Sequence, residues 1–149
     1  MPGRIKHSNA GILIGAGAAS LVAPTTDPLR LAMEIFAGGL GGHIGGVLPD
    51  VLEPAVSSHH RNIAHSVVGG GAMVFATYVQ LQAHCRTSAA QCEQRAAALV
   101  GDPAGASRAG WEGLAWHFLA AFLVGAAAGY ASHMAMDAGS PRGIPFVVP

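Results

Sequence analysis

Charge is what this chain has least of. Eight basic and eight acidic side chains in 149 residues make 11% charged, against roughly 25% in an ordinary soluble domain. Net charge is zero with histidine neutral, and no basic run occurs. That excludes nucleic acid as the expected partner, since phosphate neutralisation needs clustered Lys and Arg. Strand signals are thin: no sustained alternation occurs, and the β-branched residues are scattered. The two cysteines, Cys85 and Cys92, lack zinc-knuckle spacing. No internal repeat stands out. The length suits one domain, 1–149, with one core.

What is present is apolar and small. Apolar residues make up 51%, glycine alone contributes 21 residues, and the mean hydropathy is +0.41. Small residues let helix backbones approach closely where lipid supplies no hydrophobic drive. Four apolar segments emerge. The first, 10–23, ends at a breaker containing Pro24, Asp27 and Pro28. The second, 29–48, carries Gly38, Gly39, Gly41, Gly42, Gly45 and Gly46 and ends at Pro49-Asp50. The third is 63–81. The fourth, 114–136, ends at Gly139-Ser140-Pro141. A span takes roughly 20 residues; the last three reach that, and the first is short. The stretch 82–113 reads as a polar loop holding a short amphipathic helix, QCEQRAAALV, and then Gly-Asp-Pro-Ala-Gly turn signals. The expectation is an all-α membrane protein with about four transmembrane helices. A soluble Ala/Gly-rich bundle is the disfavoured alternative, because buried soluble helices rarely come as four nearly chargeless runs.

Four spans would place the N-terminus, the second loop and the C-terminus on one membrane face. His7, the segment from Asp50 to His65, and His133 with Asp137 then converge there. The N-terminal run looks superficially like a signal peptide, but His7 at its head favours a retained helix. Arg4, Lys6, Arg61 and Arg142 lie on the convergent side, and Arg30, Arg86, Arg95 and Arg108 on the other. The N-terminal pair points weakly to a cytoplasmic site face. Cys85 and Cys92 would then face the oxidising side, where a bridge is permitted; at seven apart on a helix they are two turns distant.

The densest polar stretch is SSHHRNIAHS, with His59, His60, Arg61 and His65. Imidazole and carboxylate are the usual ligands of zinc and other transition metals. His60 and His65 are the ligand candidates in it. LPDVLEP adds Asp50 and Glu53. His133 and Asp137, at i and i+4, share a helix face, with Tyr130 one turn earlier. Ionisable residues near a membrane helix end mark function by default. Of the other histidines, His117 and His84 read as belonging to the opposite face, His117 as interfacial. His43 reads as a polar helix contact, and Glu34 as reaching water from the far end of its helix.

Taken in order, LPDVLEP, HRNIAHS and GYASHMAMDAGSPRGIPFVVP resemble the YdjM-like family of predicted membrane-bound metal-dependent hydrolases. The matching positions are His7, Asp50, His60, Arg61, His65, Ser66, Tyr130, His133, Asp137, Pro141, Gly143 and Pro145. Leu52 and Glu53 stand where the family has Asp and His, and Ala64 where it has Thr. Those departures would reduce a two-metal site to one or favour a harder ion, with His59 as a possible substitute ligand. The resemblance implies a multi-pass protein of the bacterial inner membrane. His7, Asp50, His60, His65, His133 and Asp137 would hold one or two divalent ions, zinc first. Glu53 would act as base, and Arg61 would hold an anionic group of a phosphoester or membrane-lipid substrate. Two rivals stand beside it: a non-enzymatic membrane binding or assembly protein with a structural metal, and a small metal or proton carrier using His43 and Glu34.

Overall fold

The computed structural model describes residues 4–52 and 71–138. Four helices occupy them: α1 (Arg4–Val22), α2 (Pro28–Leu52), α3 (Ala72–Ala98) and α4 (Pro103–Ala138). α2 and α4 begin the same way. Asp27 caps α2, its Oδ1 accepting from the Arg30 amide at 2.8 Å; Asp102 caps α4, its Oδ1 accepting from the Gly105 amide at 2.9 Å. A proline follows each cap, where its missing N–H costs nothing and its fixed φ suits the first helical residue.

Three expected boundaries shift. The stretch 82–113 is not a loop: its first part continues α3 and its last part opens α4, with a turn at 99–102 between them. Polarity alone does not make a segment irregular: α3 contains no Gly or Pro, and its alanines propagate the helix past the apolar region. α4 accordingly starts eleven residues before 114. Pro49 does not stop α2, which runs on to Leu52. Proline removes the amide that would bond the Gly45 carbonyl, but neighbouring helices can stabilise such a turn, and here His133 of α4 bonds the adjacent Gly46 carbonyl at 2.8 Å.

α2 lies at the centre, packed against α1 and α4; α1 also touches α4, and α3 packs along α4. Glycine makes the central contacts possible. A Cβ at Gly42 would overlap the Gly11 carbonyl and lie 3.0 Å from the Gly15 Cα, and one at Gly129 would overlap the Gly42 carbonyl from the α4 side. Backbones therefore meet where side chains would otherwise intervene.

The interior is unusual in content. Its apolar cluster is Ala19, Ala37 and Ala121, with Phe118 and Phe122 against it. The largest fully buried side chains are His133, Glu34 and Pro49, whereas Leu13, Leu21, Leu29, Phe36 and Phe75 are exposed. Among the described residues, α2 and α4 are long and apolar enough to cross a membrane by length and composition. At about 1.5 Å per residue, α4 is about 54 Å long, so it exceeds the roughly 30 Å of a hydrocarbon layer.

Candidate metal centre

His7 enters from the first turns of α1, Asp50 from the last turn of α2, and His133 and Asp137 from the end of α4. These three helix ends meet at one end of the bundle because α1 and α2, and α3 and α4, run up and down by short turns. His7, Asp50 and His133 each offer one ligand atom, and these atoms lie within 4.8 Å of one another. Asp137 closes the group. Its Oδ1 stands 3.5 Å from His7 Nε2, and its Oδ2 stands 3.8 Å from His133 Nε2. Asp50 Oδ1 is also 3.8 Å from His133 Nε2. The two imidazoles lie 4.2 Å apart between centroids, tilted by 31°.

The tautomer of His133 follows from its partner. Its Nδ1 is 2.8 Å from the Gly46 carbonyl, which can only accept, so Nδ1 carries the hydrogen. In the neutral ring Nε2 then keeps its lone pair and faces both carboxylates. This is how metal-binding histidines are usually oriented. His7 supplies a second sign: its Nδ1 is buried without a hydrogen-bond partner among the described residues. Leaving a buried polar atom unpaired costs about 1–3 kcal/mol, and a metal is one way to satisfy it. Two ligands at about 2.0–2.1 Å from a tetrahedral zinc stand about 3.3 Å apart, and the ligand atoms of His7, Asp50 and His133 lie within 4.8 Å of one another, so an ion would draw these side chains inward. The donor set, two imidazoles and two carboxylates, suits zinc or a comparable divalent ion. His7, His133 and Asp137 are buried, while the Asp50 side chain is 28% exposed and marks the accessible edge.

Four expected site residues, His60, His65, Glu53 and Arg61, lie outside the described residues, as does His59. His43 is a helix contact: its Nδ1 shares a 2.7 Å hydrogen bond with Ser8 Oγ of α1. It is exposed while Glu34 is buried, so the two line no common path.

A second polar cluster was missed by the reading of single residues. Glu34 is fully buried rather than wet, and His117 is buried rather than interfacial. Arg86 donates to both Glu34 oxygens, at 3.2 and 2.9 Å, and Arg30 Nε donates to Oε1 at 3.3 Å. Both guanidiniums also donate to His117 Nδ1 at 2.9 Å. That nitrogen must be the acceptor, so Nε2–H donates to Glu93 Oε1 at 3.0 Å. Arg30 reaches the same Glu93 oxygen at 2.8 Å. The available signal was the i,i+4 pair Arg30–Glu34; its partners are 52 and more residues away and invisible to spacing. Cys85 and Cys92 are both buried and unbridged. Burial raises the Cys85 thiol pKa, with the Arg86 charge opposing.

Compared with known protein families, curated proteins and solved structures, the chain matches none.

Proposed function

We propose that this is a multi-pass helical membrane protein whose α1, α2 and α4 ends hold a divalent metal, zinc first, for hydrolysis of a phosphoester or lipid-like substrate. The observation that carries the reading is the His7–Asp50–His133 group with ligand atoms within 4.8 Å, joined by Asp137. The inside-out distribution of side chains supports the membrane part. In water, exposed Leu, Phe and Ile around a core of Ala, Gly, His and Glu would forfeit hydrophobic stabilisation; in lipid that arrangement is the economical one. The motif resemblance to the YdjM-like hydrolases adds the reaction class and an inner-membrane location.

His7, Asp50, His133 and Asp137 would hold the ion. A bound divalent ion supplies Lewis acidity and makes water a nucleophile near neutral pH. Gly46 holds His133 in the tautomer that presents Nε2. Asp137 brings the second carboxylate, 3.5 Å from His7 Nε2 and 3.8 Å from His133 Nε2. Asp50, at the accessible edge, is the carboxylate placed to meet an incoming molecule. Glu53 and Arg61, a few residues along the chain from Asp50, are the proposed base and anion holder.

A structural-metal reading is favoured by one feature: three of the four side chains are buried, so an ion would tie three helices together. The two readings separate in an assay of phosphodiester and phospholipid hydrolysis by detergent-solubilised protein, zinc-loaded against chelator-stripped. Turnover in the loaded protein alone, lost in Glu53→Gln with zinc retained, is the expected result. Stoichiometric zinc with no turnover on either substrate class would leave the structural reading.

A further inference from the structure

The opposite cluster has an exposed member that sits where a ligand could. Glu93 is the one carboxylate in it that reaches solvent: its side chain is 51% exposed, whereas those of Glu34 and His117 are 0% and 6% exposed. Beneath it, two donors aim at a single point. Arg30 Nη1 and His117 Nε2 both end on Glu93 Oε1, at 2.8 and 3.0 Å. His117 is committed to donate there, because its Nδ1 already accepts from two guanidiniums. Arg86 is committed to Glu34. The charges are also unequal once Glu93 is set aside: Arg30 and Arg86 against Glu34 leave a residual +1 in a largely buried setting. Excess positive charge with a convergent N–H pair is an oxyanion receptor, and an Arg fork matches phosphate geometry. Glu93 is held there by a long, rotatable side chain at the surface of α3. It is the member of the cluster that can swing out into water, its two hydrogen bonds passing to the incoming oxyanion.

We propose that Arg30 and His117, at the junction of α2, α3 and α4, form a binding site for a phosphate-type oxyanion, with the Glu93 carboxylate as its built-in competitor. The site is independent of the metal centre. It lies sixteen residues from it along both α2 (Glu34 to Asp50) and α4 (His117 to His133), about 24 Å in each helix. The oxyanion could be free phosphate or the headgroup of an anionic lipid, since both offer the same oxygens.

The test measures inorganic phosphate binding by calorimetry to the full chain in neutral detergent, and retention of phosphatidylglycerol against phosphatidylcholine after delipidation. Glu93→Gln removes the competing charge and should bind at least ten-fold tighter than wild type. Glu93→Asp, which withdraws the carboxylate by one methylene, should fall between. Arg30→Gln in the Glu93→Gln background should abolish the gain. Phosphate binding in these variants assigns a soluble anion; selective retention of phosphatidylglycerol without phosphate binding assigns a headgroup. If neither Glu93→Gln nor Glu93→Asp, each with wild-type helix content by circular dichroism, exceeds wild type for either probe, the proposal is overturned. Wild-type protein in 100 mM phosphate provides the arm that needs no substitution: phosphate should slow phenylglyoxal modification of Arg30, and unchanged modification would also overturn it.

Discussion

At the scale of single residues, the metal centre depends on how each imidazole is held. His133 has its hydrogen fixed by the Gly46 carbonyl and its lone pair turned towards Asp50 and Asp137. His7 has Asp137 near one nitrogen and, among the described residues, no hydrogen-bond partner at the other. Asp137 is thus shared between two histidines from different helices. Losing even a carboxylate that only supports a metal ligand typically costs 10–100-fold in metal affinity, and losing a ligand itself costs no less. Asp137→Asn, nearly isosteric, should therefore lower zinc affinity by about that factor in a chelator competition, with helix content unchanged. Wild-type affinity in this variant would mean that Asp137 plays no part in the centre.

Helices, not side chains, set the close contacts, and the glycines divide into two kinds. Gly42 has backbone from α1 and α4 against it, whereas Gly17 has nothing within 4 Å of the position a Cβ would take. Gly42→Ala should destabilise the bundle by about 1–3 kcal/mol, the usual cost of overpacking. Gly17→Ala should be neutral or stabilising by up to about 1 kcal/mol, because alanine restricts the unfolded chain and favours helix. Thermal unfolding in detergent compares them; equal effects would contradict the packing described. At this scale the apolar runs around α1, α2 and α4 were legible from composition, and so was the convergence of His7, Asp50, His133 and Asp137, which needs only alternating helix direction and an i,i+4 pair. The reach of α3 and α4 into 82–113 was not. Arg86, Glu93 and Arg95 there read as loop residues, because a polar run reveals nothing of partners on other helices. Pro49 misled for a related reason: whether a proline ends a helix depends on what its neighbours offer the loosened turn.

Over the whole molecule, the buried ionisable groups among the described residues are gathered into two places separated by a waist of glycine and alanine. One holds two carboxylates and two imidazoles; the other holds paired guanidiniums and carboxylates. Between them, α2 and α4 carry no charged side chain over 35–49 and 118–132, and Phe36, Leu40, Ile44 and Leu119 face outwards. Burying ionisable groups in such a frame is costly unless they are paired or bind an ion. The Arg–Glu–His cluster meets that condition internally through its hydrogen bonds. For the His–Asp centre the proposal is a metal shared by its clustered ligand atoms, and that is the central claim. Zinc content per chain, measured by mass spectrometry on protein purified in detergent, tests it most directly. Wild type should retain at least one zinc or comparable divalent ion per chain, and His7→Ala/His133→Ala should retain none while keeping its helix content. Equal metal in both proteins, or none in wild type after incubation with zinc, would contradict it.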